Sequence, residues 1–220
     1  MTICKSIGIS IGAAALMISP VAAQSTNSKW EGFYAGLTAG GLWQSTSASI
    51  GLNNTGGALS GTGNGWAGGA EAGYNFLAGP VLLGGEIDFQ GSTLTSNING
   101  GAGASTINAV ATTPWFSTIR LRAGYPVGSV MPYVTGGVVW GNEKLQGNDS
   151  ANGGAFSASN TFWTYAVGAG MEGYIADRWT AKLEYLYIGT PNTPLSAPAT
   201  TSIDERAIGN LLRVGVNYHF

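Results

Sequence analysis

The apolar segments that follow residue 23 of this 220-residue chain alternate with period two, and charge falls on only one of the two faces so created. The stretch 210–220 is the plainest case. Leu212, Val214, Val216, Tyr218 and Phe220 take one side, and Arg213, Gly215, Asn217 and His219 the other, because successive side chains of a strand point to opposite faces. The chain is therefore read as all-β. No stretch after residue 23 has the length and apolarity of a membrane helix, so a membrane protein built from it must be a closed barrel, which leaves no strand edge in lipid.

The first 23 residues read differently. Lys5 precedes an apolar run over 7–18, then Pro20 and Val21-Ala22-Ala23 lead into the polar Gln24-Ser25-Thr26. This is the layout of a secretory signal peptide cleaved after Ala23. The apolar core is shorter than the ~20 residues of a spanning helix. Residues 1–23 are thus expected to be removed, leaving 24–220 as one domain. The single cysteine, Cys4, leaves with the signal. That excludes disulfides, thiolate metal sites and cysteine catalysis in the mature chain.

Turn signals divide the remainder. Gly73-Tyr74, Gly124-Tyr125, Gly173-Tyr174 and Asn217-Tyr218 close apolar-alternating segments at intervals of roughly fifty residues, the mark of a repeat. Each repeat is a hairpin of two strands, and four hairpins make eight strands: 30–43, 66–76, 81–90, 115–125, 131–140, 162–174, 179–188 and 210–220. Short turns at 77–80, 126–129 and 175–178 alternate with long Gly/Ser/Asn/Thr-rich connections at 44–65, 91–114, 141–160 and 189–206. Short periplasmic turns and longer external loops are the habit of small outer-membrane barrels. In the strand 162–174 strict alternation puts Tyr174 inside, unlike Tyr74 and Tyr125, and a bulge near Gly173 is expected to restore it.

A soluble β-sandwich or lipocalin-like barrel has the same alternation, and two features separate the readings. Trp43, Trp66, Trp115, Trp140 and Trp163 sit at the loop-side ends of strands, whereas Trp30, Tyr74, Tyr125, Trp179, Tyr218 and Phe220 sit at the turn-side ends, forming two girdles of the kind found at membrane interfaces. The second is charge. Glu71, Glu86, Asp88, Arg120, Arg122, Glu172, Lys182, Glu184 and Arg213 fall mid-strand on the polar face, and none falls on the apolar face. Five acids and four bases nearly cancel, as they would if enclosed together. The polar face is thus expected inside, with Glu86 and Asp88 pairing across neighbouring strands with Arg120 and Arg122. Inward glycines argue the other way, since they leave room that water could thread.

Trp30-Glu31-Gly32-Phe33-Tyr34-Ala35-Gly36, Gly73-Tyr74-Asn75, Leu83-Gly84-Gly85-Glu86-Ile87-Asp88, Pro132-Tyr133-Val134-Thr135-Gly136-Gly137, the segment 179–187 and the ending 213–220 together resemble the alphaproteobacterial small outer-membrane porin-like family. Its members include surface antigens and some hemin-binding proteins. The resemblance implies an OmpA-type eight-stranded barrel whose last strand, through Val216, Tyr218 and Phe220, is the signal read by the barrel-assembly machinery. The chain departs from the pattern at Met171-Glu172-Gly173-Tyr174.

The net charge of -2 and the lack of a Lys/Arg cluster give no footprint for nucleic acid. The single histidine, His219, lies next to the terminus, so a Ser-His or His-metal arrangement on the outer side is not available. Neither a catalytic centre, a metal site nor a cofactor is expected. The expected partners are outer-membrane lipid and lipopolysaccharide. The leading function is a structural barrel of the Gram-negative outer membrane, closed by its charged side chains. The alternatives are a narrow pore for small solutes and a surface protein binding hemin or a host ligand through its loops. Mass spectrometry of the membrane-extracted protein should find an N-terminus at Gln24; a chain starting at Met1 would overturn the signal-peptide reading.

Overall fold

The computed structural model describes residues 27–52, 55–102, 105–149, 154–189 and 201–220. The signal segment read at 1–23 lies outside them. A short 3-10 helix, Asn27–Trp30, is followed by eight strands: β1 (Gly32–Leu52), β2 (Thr55–Ala78), β3 (Val81–Ala102), β4 (Ser105–Gly124), β5 (Val130–Asp149), β6 (Gly154–Tyr174), β7 (Trp179–Gly189) and β8 (Thr201–His219). Each strand is antiparallel to the next and β8 returns to β1, closing the ring. Along that seam Leu37 faces Val216 and Tyr34 faces His219. Two of the three tight turns depend on glycine. Gly79 and Gly128 take φ of 68° and 63°, a left-handed conformation that a side chain disfavours.

The two faces divide as the alternation implies. Phe33, Leu37, Ile87, Phe89, Ile119, Leu121, Val134, Val138, Val167, Met171, Leu183 and Val214 are exposed on the outside. The nine mid-strand charges on the opposite face, Glu71 to Arg213, are buried. A chain that hides its charges and exposes its aliphatics has the polarity of a barrel made for an apolar surrounding.

The long connections are not loops for most of their length. Pairing of β1 with β2 continues in register past Trp43 and Asn64 to Leu52 and Thr55, and β3 with β4 to Ala102 and Ser105. β5 and β6 behave likewise, out to Asp149 and Gly154. Backbone ladders need no apolar side chains, so these polar, Gly-rich segments extend as ribbons although their composition reads as loop. β7 is described over 11 residues, the ~9–11 that a membrane crossing takes. The fourth long connection lies mostly outside the described residues.

Two further expectations change. No register shift occurs near Gly173, where β6 pairs continuously with both β5 and β7. Tyr174 stays inward, and its ring packs on Trp30 at 4.6 Å. Trp30 belongs to no girdle and to no strand. It ends the 3-10 helix, is 0% exposed, and lies beneath the barrel among Leu82, Met131 and Tyr133. Gly32, with φ of 109°, lets the chain turn from this cap into β1.

Replacing Leu121, 74% exposed at mid-strand, by Arg should cost about 2 to 4 kcal/mol in a lipid-refolded sample, against about 0 to 1 for Val81→Arg near the turn-side end. Urea unfolding in lipid vesicles measures both, and the reverse order would mean that the exposed aliphatic face does not meet lipid.

Candidate functional site

The interior of the barrel is the candidate site, and it is stratified. Its middle layer holds all nine mid-strand charges, each at most 5% exposed. Glu71 comes from β2, Glu86 and Asp88 from β3, Arg120 and Arg122 from β4, Glu172 from β6, Lys182 and Glu184 from β7, and Arg213 from β8. Arg120 reaches Glu86, Asp88 (3.0 Å) and Glu184 (2.9 Å). Lys182 reaches Glu71 (2.6 Å) and Glu86 (3.2 Å). Arg213 contacts Glu184 (2.6 Å), Asp88 (3.1 Å) and Glu86 (3.4 Å), and Arg122 contacts Glu172 (2.8 Å) and Glu86 (3.8 Å).

The sequence suggested pairing between neighbouring strands, and Arg120 with Glu86 is such a pair. Most of the network instead spans the lumen. Lys182 on β7 bonds Glu71 on β2, Arg120 on β4 bonds Glu184 on β7, and Arg213 on β8 bonds Asp88 on β3. Closure of the ring brings these residues together, and no sequence spacing encodes it.

Neutral side chains complete the layer. Tyr34 donates to Glu86 (2.8 Å), Tyr133 to Glu184 (2.9 Å) and Thr118 to Asp88 (2.7 Å). The Arg122 guanidinium lies over the rings of Tyr34 and Tyr133, at 4.6 and 5.3 Å, a favourable placement for a desolvated cation.

On the loop side an apolar layer covers the charges: Leu42, Ala67, Leu94, Phe116, Val139, Ala166, Leu186 and Leu211, all buried, with Phe162 and Ile188 packed on it. On the turn side lies a second lid, Trp30, Leu82, Met131 and Tyr133, with Leu77 and Tyr174. Its backbone is tied in: Asn75 donates to the Trp30 carbonyl (3.1 Å), and Tyr174 donates to that of Lys29. His219 sits above this lid, 4% exposed, stacked on Tyr34 at 5.4 Å with Nε2 3.4 Å from a Glu172 oxygen. Sequence reasoning missed both lids. The inward phase of Leu42, Phe116, Val139, Leu186 and Leu211 is the available signal, obscured by the charges that share their face.

The inward glycines beside the tyrosines are not open space. A Cβ on Gly73 would lie 2.3 Å from the Tyr34 hydroxyl, and one on Gly170 would lie 2.6 Å from the ring of Tyr133. They are seats for the large side chains opposite.

The remaining residues singled out in the sequence lie outside. Trp43, Trp66 and Trp163 are exposed near the loop-side end of the outer face. Trp115 and Trp140 are half-buried there, stacked on Phe89 and Trp163 at 5.8 and 5.6 Å. At the turn side Trp179 meets Tyr218 and Tyr218 meets Phe220, both at 5.2 Å. Val216 and Phe220 are exposed on the same outer face of the seam, with the Phe220 amide donating to the Phe33 carbonyl (3.0 Å). Among the described residues no group of three or more His, Cys, Asp and Glu side chains is placed to hold a metal ion.

Comparison with known proteins agrees with this geometry. The chain is 34% identical to the 31 kDa outer-membrane immunogenic protein of Brucella melitensis over 212 residues, covering 92% of this chain and 88% of that one. The fold is shared with two solved structures. The outer membrane protein OprG of Pseudomonas aeruginosa matches with a TM-score of 0.51 at 14% identity, over 86% of this chain and 97% of that one. The outer membrane protease OmpT of Escherichia coli matches with a TM-score of 0.52 at 12% identity, with the same coverage. The profile of the outer membrane protein beta-barrel domain family matches residues 11–220. The chain belongs to that family, a barrel of the Gram-negative outer membrane.

Proposed function

We propose that this protein is a closed, non-catalytic structural barrel of the outer membrane that contributes to envelope integrity and presents its ribbons at the cell surface. One observation carries the reading: nine paired charges fill the lumen between two apolar lids. An eight-stranded barrel is only just wide enough for side chains to fill it, and here they do so in three layers. A charged lumen alone would make Arg122 the gatekeeper. With lids on both sides, removal of one cation loosens the middle and leaves both ends stopped. The narrow-pore alternative needs a polar path, which the layers of Phe116 and Trp30 interrupt. The related Brucella protein is named for its immunogenicity, and surface display of the ribbons fits that property here. The lipid of the membrane covers the outer apolar band, and Val216, Tyr218 and Phe220 present the assembly machinery with an aromatic-ended strand.

In a planar bilayer the refolded mature chain should show no steady open level. Arg120→Ala, which takes one shared cation from Glu86, Asp88 and Glu184 and leaves the buried cluster with excess negative charge, should cost about 3 to 5 kcal/mol of stability with little gain in conductance. The pair Trp30→Ala with Phe116→Ala should raise conductance. A stable wild-type channel would overturn closure and promote the narrow pore. Deleting Phe220, 71% exposed, should lower outer-membrane yield in cells while leaving detergent refolding nearly intact. Equal losses in both assays would make the residue a packing contact instead of an assembly signal.

A further inference from the structure

Above the loop-side girdle, the register lines up Asn97 of β3, Val110 of β4, Gln146 of β5 and Ser157 of β6 in one row across four strands. In the next row Asn99 faces Asn108. All six side chains are exposed, and they line a groove of about 680 Å³ on the outer face of the ribbons. Its position follows from two irregularities below it. The β3–β4 register shifts between Gly91 and Leu94, and the β4–β5 register between Thr112 and Trp115. Shifts of this kind bend a strand and sharpen its twist, here directly above the Phe89–Trp115 stack.

The groove is uncharged and its polar groups are idle. None of Asn97, Asn99, Asn108 and Gln146 makes a side-chain hydrogen bond to another described residue. A primary amide offers two donors and an acceptor, the combination that a pair of neighbouring sugar hydroxyls can meet. Val110, 41% exposed, supplies an apolar spot for the C–H face of a sugar ring.

Height above the membrane identifies the ligand. Gln146 is six residues beyond Trp140 on β5, and Ser157 six beyond Trp163 on β6. With a rise of ~3.4 Å per residue and a tilt of about 40°, the row lies roughly 15 Å outside the girdle. The headgroup layer is only about 5 to 8 Å deep on each side. The groove therefore clears the phosphate level and opens sideways, toward the carbohydrate that stands on neighbouring lipids of the outer leaflet. Lys144, an exposed cation of this outer face, lies two residues closer to the membrane than Gln146, on the side where phosphates would be.

We propose that this groove binds neutral saccharide of the lipopolysaccharide in its own leaflet. The proposal does not depend on whether the lumen is closed. It is tested by extracting the protein from cells that make full-length lipopolysaccharide and from cells whose lipopolysaccharide is cut back to the lipid anchor, then weighing the lipopolysaccharide retained per barrel. The combined variant Asn99→Ala, Asn108→Ala, Gln146→Ala should retain about tenfold less of the full-length form, the loss expected when one or two net hydrogen bonds disappear. It should match the wild type with the truncated form. Ala155→Met, which narrows the groove and removes no amide, should give the same pattern. Heat-modifiable gel mobility checks that each variant is folded. Equal retention of the full-length form by wild type and variants overturns the proposal. So does a loss that persists with the truncated form, which would place the contact on the lipid anchor. A third arm adds free saccharide released from the same lipopolysaccharide to wild-type protein in detergent: displacement of full-length lipopolysaccharide supports the sugar contact, and failure to displace at saturating excess overturns it.

Discussion

Glu86 is the group on which the interior turns. One carboxylate contacts all four lumen cations, Arg120, Arg122, Lys182 and Arg213, and accepts the Tyr34 hydroxyl as well. Charges taken out of water are costly unless their partners are well placed, so this cluster has meaning only when strands from every part of the ring are in position. The ring in turn buries the cluster, leaving none of its nine side chains more than 5% exposed. Ion pairing and closure are thus one condition: the strands enclose the charges, and the charges fix the spacing of strands opposite one another.

Much of this was legible in the sequence. The period-two pattern gives the strands their phase, and the phase predicts which side of Leu121 or Arg122 faces inward. What it could not give are relations between strands that are distant in the ring. Lys182 finds Glu71 across the lumen, although Glu172 is its register partner. Tyr174 shows the limit of analogy between repeats: likeness to Tyr74 and Tyr125 suggests an outward ring, whereas strict alternation places it inside, where it packs on Trp30. Trp30 looked like a girdle residue because it opens an alternating run; a helical turn and Gly32 separate it from β1. The ribbons were hidden for a different reason. Composition reports what a side chain can bury, whereas the ladders of 44–52 and 55–65 rest on backbone hydrogen bonds that Gly, Ser and Thr supply as well as any residue.

The glycines show how one residue type carries opposite meanings. In the sequence they suggest space. In the fold Gly73 and Gly170 are filled from across the strand pair by the rings of Tyr34 and Tyr133, whose hydroxyls then reach Glu86 and Glu184. A barrel this narrow can hold so many long side chains because the positions beside them have none.

The cap formed by Asn27–Trp30 has a temporal side. Its indole touches ground supplied by β3, β5, β6 and β8, through Leu82, Met131 with Tyr133, Tyr174 and His219. That floor is not assembled until the final strand has met the first, so the indole cannot reach its seat in any half-built intermediate. The seat of Trp30 thus draws on both ends of the chain at once, and in a variant that keeps Trp30 as its single tryptophan, indole fluorescence becomes a clock for the closing of the ring.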